Sequence, residues 1–557
     1  MSDAEAERNR ARRRGWLGLI CLALAAAPAA GQAPGHAAPR VHVQQGMLEG
    51  AAAQGVTTYK GIPYAEPPIG NLRWRPPVPA HGWSGVRDAR NFGHPCLQPP
   101  QSPTGLYSSA PGAMPSSSED CLTLNVWAPA GARRLPVLVW IHGGALVGGS
   151  SAEPMYDGAS LARRNIVVVS INYRLGLLGF LAHPALSAES PRHLSGNYGL
   201  LDQIAALRWV RDNVAAFGGD PRQVTIAGES AGALSVIALL ASPDARGLFA
   251  RAIAESGYMP SYRALHETSY GLPSAEAAGL ALGNAAGATD AAALRAADPA
   301  ALFRAGLATG WQPEPVIDGA LLTRQLAETF ARGEQARVPV LAGFNEGEIR
   351  SLLFLMPQAP ASEAAYLADV RRRFGAAAPA FLAIYPGADP RADVMASMRD
   401  GFYGWAAQYL VRRQAAAGQG AFLYYFRHAT PAERARDLAA FHASELPYVF
   451  GEVAAGAPIG PNWPQPPHVP AEARLSEAMS AYWASFVRTG VPRAPGEAAW
   501  PRYTAQDPSY LDIDERPVAR RGLQPAAFAW ADALVAERRR EGRGWRLDIG
   551  FSAYPRP

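Results

Sequence analysis

Uninterrupted apolar stretches, each followed by glycine or polar residues, are the feature of this chain that most restricts its fold. The stretches LPVLVWIHGG, NIVVVSINYRLG, QVTIAGES, VPVLAGFNEGE and GAFLYYFRH occur in this order along the 557 residues. Runs that are apolar on both faces are typical of strands buried in a parallel sheet. Segments between them, such as LLDQIAALRWVRDNVAAFGG, space their apolar residues by three and four, which predicts helices. We therefore predict an α/β fold with one large, mostly parallel sheet and helices on both faces.

The first thirty residues have the composition of an export signal. Arginines at positions 12–14 precede the apolar stretch GWLGLICLALAAAPAA, which ends in small residues. We interpret residues 1–30 as a signal peptide and expect the protein to be exported, with no membrane contact after the signal is removed. We interpret residues 31–557 as a single domain with helical insertions around residues 260–310 and 350–415 that cap the sheet.

Charge and composition exclude several classes of function. The formal net charge is +5, but residues 1–14 carry five arginines against three acids, and the basic run ERRREGRGWR is typical of a solvated helix end. We therefore expect no nucleic-acid partner. Lys60 is the only lysine, so the sequence contains no Gly-Lys-Ser/Thr phosphate loop, and it also lacks an H-E-x-x-H motif. We expect no cofactor and no metal, and the sequence does not indicate the oligomeric state.

Two cysteines remain once the predicted signal is removed. Cys21 lies in the signal, which leaves Cys96 and Cys121, an even number in an exported protein. One disulfide between them is the favoured interpretation, and two free buried thiols are the alternative. The segment between them is rich in proline, serine and glycine. Because such a segment buries little apolar surface, a covalent link would stabilise it.

The pentapeptide GESAG at residues 228–232 carries the clearest chemical signal. Its serine, Ser230, stands where a predicted strand meets a predicted helix. Such a tight turn holds a nucleophilic serine at the helix N-terminus, where the helix dipole stabilises developing negative charge. A structural glycine turn is the alternative interpretation. The stretch HGGA at residues 142–145 follows another predicted strand and can supply backbone N–H groups to an oxyanion.

A serine nucleophile needs a base, and the base needs an acid to orient it. In sites of this kind the acid comes after the serine and before the histidine in the chain, at the end of a strand. The stretch VLAGFNEGE ends a predicted strand with Glu346 and Glu348. The histidines after Ser230 are His266, His428, His442 and His468. Spacing alone leaves the last three of these open as the base.

Several long motifs occur in a fixed order from about residue 41 to near the C-terminus. They are GIPYAEPPIGNLRWRPP, SEDCLTLNVWAP, NYRLGLLGF, GNYGLLDQIAALRWVRDNVAAFGGDP, VTIAGESAGA, PVIDG and ASELPYVFG. Together they resemble the type-B carboxylesterase and cholinesterase family of α/β-hydrolases. The resemblance implies an α/β-hydrolase fold and a carboxylic ester hydrolase. Because only one disulfide can form, the chain is more similar to bacterial members, which implies a periplasmic or secreted bacterial protein.

The resemblance also assigns roles to the candidate residues. The family histidine corresponds to His442, and the family acid to Glu348, with Glu346 as the alternative. Cys96 and Cys121 match the first disulfide of the family. The amides of the oxyanion hole correspond to those of Gly144, Ala145 and Ala231.

Other positions are implied less directly. Glu229, beside the nucleophile, corresponds to a family residue that supports the site without reacting, and a charge at a helix N-terminus is the alternative account. Trp311 falls near the aromatic residue of the family's acyl pocket, and Tyr258 is a second candidate for substrate contact. Ordinary core packing is the alternative for both. The disulfide loop contains no tryptophan to hold choline, so choline esters are not the expected substrates.

The resulting hypothesis is a serine carboxylesterase that acts on a small-molecule ester through an acyl-enzyme intermediate. A base with an ordinary histidine pKa would lose activity below about pH 6.5. Two alternatives belong to other classes. One is a cholinesterase-like binding module without catalysis, and the other is lipase, thioesterase or amidase activity at the same residues.

Overall fold

The computed structural model describes residues 38–545, apart from residues 101, 111, 359, 457 and 458. The chain divides into two units, Met1–Ala38 and Pro39–Pro557, and the strands and helices named here lie in the second. The predicted signal peptide lies outside the described residues and stays a prediction.

Fourteen strands form two sheets within the described residues. In chain order they are β1 (Arg40–Val43), β2 (Gly46–Glu49), β3 (Ala51–Ala53), β4 (Val56–Pro63), β5 (Val86–Asp88), β6 (Thr123–Pro129), β7 (Leu135–Ile141), β8 (Val167–Ile171), β9 (Gly219–Glu229), β10 (Arg251–Glu255), β11 (Val340–Asn345), β12 (Ala421–Phe426), β13 (Ser509–Ile513) and β14 (Pro517–Arg521).

The larger sheet has the strand order β3-β4-β6-β8-β7-β9-β10-β11-β12-β13-β14. All neighbours from β8 to β13 in this order run parallel. Antiparallel pairs occupy its two edges. Strands β1, β2 and β5 form a separate small sheet. The prediction of a large, mostly parallel sheet is therefore confirmed.

Eighteen α-helices accompany these strands in the described part of the chain. They are α1 (Ala159–Ala162), α2 (Gly176–Phe180), α3 (Pro184–Glu189), α4 (Tyr198–Asn213), α5 (Ala231–Ala241), α6 (Ala275–Ala286), α7 (Ala291–Ala296), α8 (Pro299–Thr309), α9 (Leu326–Ala331), α10 (Glu363–Phe374), α11 (Ala378–Leu382), α12 (Pro390–Met398), α13 (Trp405–Ala416), α14 (Pro431–Ala435), α15 (Leu446–Val449), α16 (Glu452–Ala455), α17 (Pro470–Thr489) and α18 (Pro525–Arg540). Helices α6 to α8 and α10 to α13 occupy the regions predicted as helical insertions.

The apolar stretches correspond to β7, β8, β9, β11 and β12. Every residue of β8, β11 and β12 is buried, as expected for strands that helices cover on both faces. Along β7, Val137 and Val139 pack into one core with α5, while Leu138 and Trp140 pack into a second core with α17 on the opposite face. The sequence pattern did not predict β10 and β13. Each of these strands has only five residues and includes charged ones.

None of the helices within the described residues combines the length and the apolarity that crossing a membrane requires.

Candidate active site

The site lies beyond the carboxyl ends of β7 and β9, which are neighbours in the sheet. Ile141, the last residue of β7, is level with Gly228 of β9. Strands β8 and β9 lie on opposite sides of β7, so the chain order reverses there. In open α/β sheets such a reversal leaves a crevice in which ligands bind. The loops that follow β7 and β9 carry the glycine-rich stretch and the serine.

Ser230 occupies a sharp turn between β9 and α5. Its backbone has φ 56° and ψ −120°, a conformation that costs a non-glycine residue about 1–3 kcal/mol. The N–H of Ser230 donates to the carbonyl oxygen of Glu255 at 2.9 Å, which ties the turn to the end of β10. A Cβ on Gly228 would stand 2.5 Å from the carbonyl carbon of Gly232. Both glycines of the pentapeptide are therefore required by the close approach of backbone at this turn.

Glu348 follows β11 and is completely buried. Its Oε1 accepts hydrogen bonds from the hydroxyl of Ser256 at 2.6 Å and from the N–H of Asn345 at 2.8 Å. Its Oε2 accepts a hydrogen bond from Nδ1 of His442. Both carboxylate oxygens are thus bound, which fixes the orientation of the imidazole. Glu346, the alternative acid, is exposed.

His442 lies on the loop between α14 and α15. The N–H of Gly347 donates to the carbonyl oxygen of Ala440 at 2.7 Å, so the loop of the acid is joined directly to the loop of the histidine. The hydroxyl of Tyr107 donates to the carbonyl oxygen of His442 at 3.0 Å. The ring of Tyr403 lies 5.1 Å from the imidazole between ring centres. The histidine is therefore held through its ring and its backbone.

The other histidines that spacing left open lie elsewhere. His428 is 3.0 Å from Glu472, a residue of α17, and His468 is exposed beside Gly456. His266 contacts Glu276 on the protein surface. Of the histidines after the serine, His442 is thus the one that contacts Glu348.

Glu229 and His442 form a buried acid–base contact. Oε1 of Glu229 lies 3.0 Å from Nε2 of His442 without the alignment of a hydrogen bond. Burial raises the pKa of Glu229 to about 8 although His442 opposes the change. Burial lowers the pKa of His442, but the carboxylates of Glu229 and Glu348 outweigh it and raise that pKa to about 9. The histidine therefore holds its proton more tightly than an isolated imidazole does.

The glycine-rich loop after β7 turns back on itself. Gly144 has φ 100° and Ala145 has φ 55°. The carbonyl oxygen of Gly144 accepts from the N–H of Gly148 at 3.0 Å. Both Gly144 and Ala145 line the same cavity as Ser230. Ala231 is the first residue of α5, where backbone N–H groups have no partner within the helix.

The cavity beside Ser230 has a volume of about 580 Å³. Its wall includes His442, and it is mostly apolar. A π-helical segment, Arg399–Gly404, contributes Phe402 and Tyr403 to the wall. Such segments are frequent at functional sites. Tyr258 also lines the cavity, and its ring stacks on that of Phe402 at 4.6 Å.

Trp311 does not line this cavity. Its neighbours in the chain, Gln312 and Pro313, line it instead. Trp311 is half-buried and packs against the apolar core around α8. The structure therefore gives no geometric support to the predicted contact between Trp311 and substrate.

The loop between Cys96 and Cys121 forms part of the cavity wall. The two cysteines are joined by a disulfide. Gln98, just after the first cysteine, exchanges two hydrogen bonds of 2.9 Å with the backbone of Gly149. Tyr107 lies in the same loop and also lines the cavity. The disulfide thus closes a loop that is attached to the glycine-rich stretch.

Sequence reasoning missed three residues that shape this site. Ser256 binds the buried carboxylate of Glu348, Tyr107 holds the backbone of His442, and Gln98 anchors the disulfide loop. Only Ser256 had a usable signal, since it directly follows the short stretch Ala252–Ile253–Ala254 and Glu255, much as candidate site residues follow the other strands. The other two lie in a loop without periodicity.

Comparisons with known proteins identify related chains and structures. A model of the carboxylesterase family matches residues 37–530. The chain is 38% identical over 472 residues to fumonisin B1 esterase of Sphingopyxis macrogoltabida, which covers 83% of this chain and 84% of that protein. It is 35% identical over 489 residues to para-nitrobenzyl esterase of Bacillus subtilis strain 168, which covers 85% of this chain and 94% of that protein. A solved carboxylesterase of Geobacillus stearothermophilus superposes with a TM-score of 0.75 at 34% identity, covering 88% of this chain and 99% of that one.

Proposed function

Since the chain belongs to the carboxylesterase family and is a carboxylic ester hydrolase, we propose that it hydrolyses esters through Ser230, His442 and Glu348. The observation that carries this proposal is the arrangement of His442. Its Nδ1 is bound by a fully buried carboxylate, and its ring lies in the wall of the cavity that Ser230 also lines. A base oriented in this way is what a serine needs to become nucleophilic.

The proposed reaction has two steps. In the first, Nε2 of His442 takes the proton of the Ser230 hydroxyl, and the serine oxygen attacks the ester carbonyl. The alcohol leaves after the histidine returns the proton to it, and an acyl-enzyme remains. In the second, the histidine deprotonates a water molecule, whose oxygen attacks the acyl carbonyl. The bond to the serine oxygen then breaks, the histidine returns the proton to that oxygen, and the acid is released. Glu348 stabilises the imidazolium that forms in both steps.

The tetrahedral intermediates carry a negative oxygen that must be stabilised. We assign this role to the backbone N–H groups of Gly144, Ala145 and Ala231. The first two lie in the wall beside Ser230, and the third begins α5, whose dipole favours negative charge. Removing one donor of this kind typically costs about 100- to 1000-fold in kcat.

The shape of the cavity indicates the class of substrate. A mostly apolar cavity of about 580 Å³ suits a small-molecule ester with apolar groups on both sides of the carbonyl. The relatives are named after different compounds, so none of these compounds is transferred to this chain as a substrate. We also propose that the protein is exported to the bacterial periplasm or medium, because the disulfide requires an oxidising compartment.

The experiment that tests the proposal is hydrolysis of p-nitrophenyl esters from acetate to decanoate by the wild type and by Ser230→Ala. We expect turnover that saturates with soluble substrate and is lost in the variant. A burst of nitrophenolate equal to the enzyme concentration would reveal the acyl-enzyme. A folded wild type without turnover would favour the binding module, and activation only at a lipid–water interface would favour the lipase.

A further inference from the structure

The charged side chains that line the active-site cavity are nearly all acidic. They are Glu153, Glu229, Glu314 and His442, and the residues that line the cavity include no arginine and no lysine. An apolar cavity with this charge distribution does not treat positive and negative substrates alike, because charges interact more strongly beside apolar walls than in bulk water.

The three carboxylates differ in what already neutralises them. Glu314 forms an ion pair with Arg263 at 2.5 Å. Glu229 lies against His442. Glu153 takes part in none of the ion pairs between described residues, although it is half-buried. Within the described part of the chain, Glu153 is therefore the carboxylate of the cavity that lacks a cationic partner.

Glu153 lines the cavity together with the segment that follows it. It immediately precedes a short 3₁₀ helix, Pro154–Tyr156, of which Met155 and Tyr156 also line the cavity. Burial raises the pKa of Glu153 to about 7. This shift reflects a site in which the ionised carboxylate is poorly solvated, so that a nearby cation would stabilise it.

We propose that Glu153 determines the charge specificity of the cavity by binding a protonated amine carried by the ester and by repelling a carboxylate at the same place. This proposal rests on the ester hydrolysis proposed above and names the substrate class of that site. An amine supplies the missing partner of a half-buried carboxylate. A carboxylate would lose water in this cavity, and the one basic side chain of the lining, His442, already contacts the carboxylates of Glu229 and Glu348.

The test compares esters that differ only in terminal charge. One set consists of the p-nitrophenyl ester of ω-(dimethylamino)hexanoic acid, the isostere in which CH replaces the nitrogen, and mono-p-nitrophenyl suberate. A second set places the charge on the alcohol and pairs dimethylaminopropyl acetate with its CH isostere. The two sets together cover both sides of the ester bond. Assays at about pH 8 keep the amines protonated and Glu153 mostly ionised.

In at least one set, we expect the wild type to prefer the ammonium ester over its isostere by about tenfold in kcat/KM. Within the first set, we expect the carboxylate ester to be turned over slowest. Glu153→Gln, which keeps the shape and removes the charge, should reduce this ratio to about one. Glu267→Gln is the matched control, since Glu267 is exposed and does not line the cavity. It should leave the ratio unchanged.

The proposal is overturned if the ratio of kcat/KM values is near one in both sets. It is also overturned if Glu153→Gln lowers kcat/KM for all esters by the same factor, because a purely structural role would have that effect. Binding of the same esters to Ser230→Ala, measured by isothermal titration, separates this proposal from the proposed reaction. A charge preference in binding without hydrolysis by the wild type would refute ester hydrolysis and keep the role of Glu153. Hydrolysis by the wild type without a charge preference would support ester hydrolysis and refute the role of Glu153.

Discussion

The carbonyl oxygen of Ile141 lies 2.0 Å from the position that a Cβ on Gly232 would take. This contact joins the end of β7 to the first turn of α5. The glycine-rich loop follows β7 directly, and Ser230 directly precedes α5. Because the obstacle is backbone, no rotation of a side chain can relieve it.

Gly232→Ala should therefore be severely impaired. The added methyl group would push α5 away from β7, with a cost of about 1–3 kcal/mol or more in the free energy of unfolding. It would also displace Ser230 from the glycine-rich loop, so that esterase activity falls by at least about 100-fold. Urea unfolding and p-nitrophenyl acetate hydrolysis measure the two effects. Gly306→Ala is the control, because Gly306 lies in α8 with only one side-chain atom at 3.6 Å, and alanine is expected to be tolerated there.

The pH dependence should reflect the carboxylates around His442. The base must be neutral to act, and its raised pKa of about 9 means that kcat/KM falls as the pH drops below that value. We therefore expect this loss of activity at a higher pH than the value near 6.5 that an ordinary histidine would give. Glu229→Gln removes one of the carboxylates that raise the pKa, so the loss should move down toward the ordinary value. An unchanged pH dependence in this variant would contradict the contact between Glu229 and His442.

The hydroxyl of Ser256 should support catalysis without binding substrate. Ser256→Ala leaves Oε1 of Glu348 with one donor fewer in a fully buried place. Because hydrogen bonds to buried charges are worth about 1.5–3 kcal/mol, we expect kcat to fall by about tenfold or more while KM changes little. Ser256→Thr keeps a hydroxyl and should recover part of the rate. Equal losses in both variants would point to packing as the cause.

Acyl-chain preference should depend on Tyr258 and not on Trp311. Tyr258 lines the cavity and stacks on Phe402, whereas Trp311 packs outside it. Tyr258→Ala enlarges the cavity and should shift the optimum toward longer p-nitrophenyl esters. Trp311→Ala serves as the comparison and should change the stability but not the chain-length profile. A shifted profile in Trp311→Ala would restore the role predicted from the sequence.

Loss of the disulfide should affect both stability and the cavity wall. Cys96 and Cys121 are 25 residues apart, and closing a loop of this length stabilises a protein by about 3 kcal/mol in the chain-entropy model. The double variant to serine should unfold at lower urea. Because Gln98 anchors this loop to Gly149, KM should rise more than kcat falls. If the double variant were as stable as the wild type, the other contacts of this loop would be sufficient to hold it, which would contradict the prediction.

Predictions from the sequence were most successful where the structure accepts only one kind of residue. Buried strands had to be apolar, and the glycines around Ser230 had to permit close backbone contact, so the sheet and the turn could be read directly. The pairing of the acid with the base could not be read from the sequence in this way. Glu346 and Glu348 are two residues apart and chemically identical, and only the family resemblance preferred the second. In the structure Glu348 is buried against the histidine, while Glu346 is exposed.

The sequence by itself determined the strands, the position of the serine in its strand-to-helix turn and the cysteines available for a bridge. These depend on local periodicity, on backbone conformation and on the count of one residue type. Apart from the family resemblance, only the tertiary structure decided that His442 meets Glu348. It also decided that Trp311 stands outside the cavity and that Glu153 lines it without a cationic partner among the described residues. Such relations join residues that are up to hundreds of positions apart in the chain. They depend on how parallel strands bring their loops to one edge of the sheet, which no local pattern encodes.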